Sequence, residues 1–355
     1  MSLAALWFFV IGAFWSTYLV LEGFDFGVGM MLPVDGRDED ERGELLETIG
    51  PVWDANEVWL LVAGGLTFAA FPVWYGTWLE GAYLALVVLI VVLLLRILSF
   101  EWRGRVSPRW RGFWTKVNTT ASVLAPLIWG IALTALLAGL PVEGGAKIGE
   151  DRYLGTVLDF FSPYTVLGGL SLVALFLFHG AVFLGIRAPE SLRARASARA
   201  RQVAVPAALV VIAWFVATVV VASGTADRPA WVVAIPAAIG SLAIIAAAGF
   251  ALRGRDGSAF AATAITVVSW VAALFIALFP RIMVSSLGLE RSISIEQAGS
   301  SQYTLTVMTI AAVVLVPVII LYQWWGFRTL MARLGRGEPP LSSGQAGLAS
   351  GRGDQ

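Results

Sequence analysis

Uninterrupted apolar runs, closed by charges or by Pro and Gly clusters, repeat along this chain from its first residues to about position 327. A bilayer core of about 30 Å takes roughly 20 mostly apolar residues of helix. Nine runs meet that length: approximately 3–31, 51–73, 78–100, 113–140, 162–186, 203–223, 230–252, 259–280 and 302–327. The expected fold class is an all-α integral membrane protein with nine transmembrane helices. The second run is the weakest, being short and carrying Asp54 and Glu57 in its first turns; without it the count is eight. The first run reads as a retained span rather than a cleaved signal, because no Lys or Arg precedes Arg37 and Glu22 and Asp25 lie within it. The Gly-, Ser- and Pro-containing segment after about 335 is expected to be disordered.

Direction follows from where the cations fall between the runs. Arg37, Arg42, Arg103, Arg105, Arg109, Arg111, Lys116, Arg187, Arg193, Arg195, Arg199, Arg201, Arg253, Arg255, Arg328, Arg333, Arg336 and Arg352 all follow odd-numbered runs, which is 18 cations. The alternate loops hold 5: Lys147, Arg152, Arg228, Arg281 and Arg291. That split predicts an external N-terminus, a cytoplasmic C-terminus and nine crossings, since dropping the second run would put the positive loops on opposite sides. The acidic stretch 31–50 does not oppose this, because Asp and Glu weigh little in the rule.

Composition narrows the chemistry. At 58% hydrophobic and 14% charged, the chain is far from a soluble globule. Its 24 cations balance 24 anions, so it has no basic face for nucleic acid. With no cysteine it builds no disulfide, thiolate-held cluster or covalent c-type haem, and with one histidine, His179, it builds no bis-histidine haem site alone.

Ionisable groups inside hydrocarbon are costly and call for a reason. Glu22 and Asp25 are three residues apart on one helix face, followed by Gly27 and Gly29, which let a helix or cofactor approach closely. Asp54 and Glu57 repeat the spacing beside Trp53 and Asn56. They read either as first-turn carboxylates complementing the helix dipole or as a proton-uptake site at the inner mouth of a span. Arg96 is expected to snorkel to the inner headgroups, with Glu101 a candidate partner. His179 is expected to be a packed, hydrogen-bonded residue, with an axial haem ligand as the alternative. Trp7, Trp74, Trp78 and Trp231 read as the outer aromatic belt and Trp53, Trp102, Trp110, Trp114, Trp324 and Trp325 as the inner one, with a quinone or lipid tail packed on Trp53 as the alternative. Of the small-residue faces of the first run (Gly12, Ala13, Gly23, Gly27, Gly29) and of the last (Thr304, Thr306, Thr309, Ala311, Ala312), at least one is expected to contact a partner subunit.

Three strings carry a resemblance: Leu21-Glu22-Gly23-Phe24-Asp25-Phe26-Gly27-Val28-Gly29-Met30, Ile49-Gly50-Pro51-Val52-Trp53-Asp54-Ala55-Asn56-Glu57-Val58-Trp59-Leu60, and Ser300 to Tyr322. With Arg96, "FEWRGR", "FHGAVFL" around His179 and "FPRIMVSS" from Phe279, they resemble subunit II of the cytochrome bd quinol oxidases. The resemblance implies two four-helix bundles, 1–140 and 141–280, then an external loop and ninth helix over 281–330 and a cytoplasmic tail over 331–355. It implies pairing in a bacterial inner membrane with a similar subunit I that holds two haems b, one haem d and the quinol-oxidising loop, with room for a small accessory subunit. This chain would bind no haem alone. Asp54 matches the family's proton-path carboxylate, Asp25 a second buried aspartate, and Trp53 a position that contacts quinone in some members. Ala55 stands where the commoner pattern has glycine, which narrows the room beside it.

The implied role is delivery of cytoplasmic protons from Asp54 by way of Glu57 and Asp25, for oxygen reduction by menaquinol or ubiquinol electrons, without pumping. A proton-coupled secondary transporter is the alternative, and a purely structural membrane partner is the third reading.

Overall fold

The computed structural model describes residues 2–146 and 152–334. Its long helices are α1 (Leu3–Asp35), α3 (Trp53–Ala70), α4 (Pro72–Arg103), α5 (Pro108–Ala138), α6 (Pro163–Arg187), α7 (Glu190–Thr225), α8 (Ala230–Leu252), α9 (Asp256–Leu278) and α11 (Gln302–Leu334). Two short ones, α2 (Glu39–Glu47) and α10 (Ile295–Ala298), lie in the connections. A small antiparallel pair, β1 (Arg281–Met283) with β2 (Ile293–Ser294), fills the connection before α11.

Local sequence explains the boundaries. Pro72, Pro108 and Pro163 open their helices, where a missing N–H is harmless. Phe71, held out of the helical region before Pro72, separates α3 from α4. Asp38 caps α2 through the amides of Asp40 and Glu41 at 3.0 and 2.9 Å. The acidic stretch is therefore partly helix rather than plain loop. Helix α7 starts 13 residues before the apolar run beginning at 203, because Ala- and Arg-rich 190–202 forms helix readily and prolongs the span.

Eight helices among the described residues are long and apolar enough to cross a membrane. Helix α3, with 18 residues and Asp54, Asn56 and Glu57 at its start, is not among them. The expectations for Lys147 and for a disordered tail after 335 fall outside the described residues.

Helix α1 is central, packed on α3, α5, α6 and α9, while α6 packs on α7 and α8 on α9. One continuous apolar core runs through all of these helices. Gly27 sits against the backbone of Phe176 and Gly180, so that a Cβ there would strike the Phe176 carbonyl. At Gly29 a Cβ would strike the Ser122 and Asn118 side chains of α5. These glycines admit helices of the same chain, which corrects the expectation that Gly27 faces a partner subunit. Gly12 and Gly23 likewise pack against Phe275 and Phe176.

The aromatic belt is also corrected. Trp7, Trp74 and Trp78 are buried, and only Trp231 of that outer set is exposed. Trp7 donates from Nε1 to Thr309 Oγ1 at 3.0 Å and to the Leu305 carbonyl at 3.3 Å, tying α1 to α11. Beyond that tie Leu305 is buried and Met308, Ala312 and Val316 pack on the core, while the rest of Gln302–Gly326 is mostly exposed, and an apolar groove of about 910 Å³ opens between α11 and α1, with Trp59 of α3 in its wall.

Candidate functional site

The site lies where α1, α3 and α4 meet. Glu22 and Asp25 are fully buried on α1, and both find partners on other helices. Arg96 of α4 is also fully buried and forms an ion pair through Nη1 with Glu22 Oε1. Its guanidinium lies 4.4 Å from the Phe26 ring centroid and 5.1 Å from that of Phe100. Such rings offer a cation their negative faces away from water. Arg96 therefore does not snorkel, and Glu101 pairs with Arg105 at 2.9 Å instead. The reason is helix length: α4 runs on to Arg103, leaving Arg96 almost two turns inside its end.

Asp25 Oδ2 accepts from Asn56 Nδ2 of α3 at 2.9 Å. Asp54 is exposed in the first turn of α3, and Glu57, one turn on, is partly buried and within electrostatic reach of Glu22 and Arg96. Trp53 is half-buried and stacked on Phe100 at 5.0 Å, so one ring face is already covered. Of the predicted site residues, Asp25, Glu57 and Trp53 are thus drawn together around Arg96, and Asp54 stands at the exposed edge. No side chain caps α3, so Asp54 acts on that helix end through its charge alone.

Sequence reasoning missed the Arg96 partner and a second set of charges. Glu39 of α2 accepts from Thr115 Oγ1 and pairs with Arg103 Nη2, each at 2.9 Å, and pairs with Arg42. Partial burial works against its charge, but hydrogen bonds from Thr115, Arg42 and Arg103 hold its carboxyl below the usual carboxylate range. Glu41 pairs with Arg195 at 2.7 Å and Asp35 with Arg199 at 3.5 Å, both arginines on the early turns of α7. The acidic stretch thus ties α4 and α5 to α7 just before the turn that starts α3. Its signal was the coincidence of an acidic loop with the arginine-rich stretches 103–111 and 187–201.

His179 is fully buried. Its Nδ1 lies 2.6 Å from Thr263 Oγ1, its Nε2 lies 3.2 Å from the Val20 carbonyl, and its ring stacks on Phe260 at 4.4 Å. Both ring nitrogens are engaged in joining α6 to α9 and α1, so His179 does not fit an axial haem ligand. No group of three or more His, Cys, Asp or Glu side chains placed to hold a metal occurs among the described residues.

The family model for cytochrome bd terminal oxidase subunit II matches residues 3–330. A Bacillus subtilis protein named cytochrome bd ubiquinol oxidase subunit 2 is 36% identical over 339 residues, covering 95% of this chain and 98% of the relative. The Escherichia coli cytochrome bd-I ubiquinol oxidase subunit 2 is 32% identical over 362 residues, covering 93% of this chain and 94% of its own. The solved bd oxidase from Geobacillus thermodenitrificans contains a similarly folded chain. It has a TM-score of 0.71 at 19% identity, with 95% of this chain and 100% of that chain covered.

Proposed function

This chain belongs to the cytochrome bd terminal oxidase subunit II family, and from that premise we propose that it is the non-haem subunit of a quinol:oxygen oxidoreductase. It stabilises a haem-bearing subunit I and supplies cytoplasmic protons for the reduction of oxygen to water. One observation carries the proton role: three carboxyl groups pass from surface to interior, Asp54 exposed, Glu57 partly buried, and Asp25 fully buried on Asn56. A proton entering at Asp54 moves by Glu57 to Asp25, each transfer needing a donor and acceptor within hydrogen-bond reach or one water apart. Haems b and d belong on this reading to subunit I, as the engaged nitrogens of His179 agree. Trp53 offers quinone only the ring face turned away from Phe100. Vectorial chemistry, with protons drawn from one side only, generates the potential without pumping.

The test is purification on a tag placed on this chain. The expected product contains a second, haem-bearing polypeptide, shows haem bands in its reduced-minus-oxidised spectrum and consumes oxygen with quinol. The His179→Ala complex is expected to keep every band, because this side chain packs helices together. A chain that purifies without a haem-bearing partner refutes the oxidase reading, and loss of one band in a folded His179→Ala complex makes His179 a ligand.

For topology we propose nine crossings, with α3 the short second span, an external N-terminus, and 1–140 and 141–280 as two four-helix bundles followed by α11. The 18 to 5 cation split supports the direction, and the two halves meet where α1 and α5 pack on α6 and α1 packs on α9. Reporter fusions at 107, 195 and 340 are expected to read cytoplasmic, and one at 290 external. Two readings of the opposite sign overturn the count of nine.

A further inference from the structure

The buried charges at the centre of the site do not balance. Glu22, Asp25 and Glu57 are three carboxyl groups, and Arg96 is the one cation set against them. The neighbouring elements bring no second cation among the described residues. Helix α1 adds Tyr18, α3 adds Asn56 and the exposed Asp54, α4 adds Ser99, α5 adds Asn118 bonded to Ser99, and α6 adds His179, which is bound to the Val20 carbonyl. Three carboxylates against one guanidinium would leave uncompensated charge in a low-dielectric interior, which proteins avoid by keeping carboxyls protonated.

Contact decides which carboxyl keeps its charge. Glu22 alone pairs with Arg96. The guanidinium lies over the Phe26 and Phe100 rings, at 4.4 and 5.1 Å, and is fully buried, so close packing leaves it little room to move to another acid. Asp25 is met by a neutral amide instead; Glu22 Oε2 and Asp25 Oδ1 both lack a hydrogen-bond partner, so the two acids differ in the charge of the group that meets them. We infer that Arg96 is a positioning residue that fixes Glu22 as a permanent carboxylate, so that the protons crossing the cluster ride on Asp25 and Glu57 alone. This rests on the proton-supply reading and refines it: Glu22 is the fixed charge of the path and never a station on it.

The test uses the whole oxidase complex, with haem per complex recorded first and quinol-driven oxygen consumption then followed against pH. Glu22→Gln leaves the Arg96 cation free to favour ionised Asp25 and Glu57. The alkaline limb of the profile is expected to move to lower pH by about one unit or more, as a newly unopposed charge at this range does. Arg96→Gln removes the cation and is expected to move the limb to higher pH. The double variant E22Q/R96Q removes both charges and is expected to bring the limb back towards the wild-type position. A pair that serves only structure lowers the rate without these opposed shifts, and that result, or a double variant whose limb does not return, overturns the inference.

Because one unpaired buried charge can stop assembly, infrared difference spectra of the wild-type, Glu22→Asp and Asp25→Asn complexes give an independent reading. A carboxylic C=O band is expected that Asp25→Asn removes and Glu22→Asp leaves in place. Absence of that band, or its displacement by Glu22→Asp, overturns the inference. An Asp25→Asn complex with normal turnover and an unmoved pH profile instead brings down the proton-supply reading itself.

Discussion

Asp54→Asn is expected to lower quinol-driven oxygen consumption by about a hundredfold, the low end of what a positioned proton-transfer group contributes, while haem content stays at the wild-type level. Asparagine keeps the size and hydrogen-bonding capacity of the side chain and removes only its ability to carry a proton. Asp54 is the exposed member of the carboxyl series, and nothing in the fold depends on it: it makes no cap bond on α3 and no ion pair within the chain among the described residues. The competing role, complementing the α3 dipole, is worth about 0.3–1 kcal/mol and affects stability rather than turnover. Asp54→Glu restores a carboxyl on a longer arm and is expected to retain part of the rate. Oxygen uptake per haem separates the two roles, and near-normal turnover in the Asn variant returns Asp54 to the dipole.

The carboxyl series was legible because ionisable residues in apolar runs stand out one at a time. Asp25, Asp54 and Glu57 needed no partner to be noticed, since their cost in hydrocarbon is a property of each residue alone. The Arg96–Glu22 pair was not legible, for two reasons. Its members lie 74 positions apart, on α1 and α4, and meet only through their long side chains across the bundle. The apolar run also stops at Phe100, which by sequence puts Arg96 within snorkelling distance of the headgroups, whereas the helix continues to Arg103. Trp7 and Trp74 failed similarly: a tryptophan near a span end has the composition of a belt residue, and only neighbouring helices decide whether it is covered. In the acidic stretch, single-residue charges were visible but their arginines on α4 and α7 were not. The eight strongly apolar spans were readable from length and hydropathy, and α3 was the weak one in sequence and structure alike.

Gly27→Leu is expected to prevent accumulation of the folded chain, rather than to release a correctly folded chain from its partner. The two outcomes differ because of what a side chain at position 27 meets. Its first carbon alone would strike the Phe176 carbonyl and the Gly180 backbone. Flexible side chains can yield to such a collision, but two helix backbones bonded along their own axes can yield only by separating. Gly180 is itself glycine, so the facing helix has no smaller residue to offer in compensation. Overpacking in a core costs about 1–3 kcal/mol where side chains absorb it, and a backbone-to-backbone collision lies above that range. Two controls isolate the effect. Val88→Leu changes an exposed, apolar position of α4, and Gly65→Leu puts its first carbon where nothing lies within 4 Å; both chains are expected at wild-type level in the membrane. The measurement is tagged chain in membranes and its monodispersity after mild solubilisation, read before any haem assay. If the Gly27→Leu chain accumulates as a monodisperse species lacking only its haem-bearing partner, the α1–α6 contact is not what Gly27 is for. The close approach would then belong to the subunit interface after all.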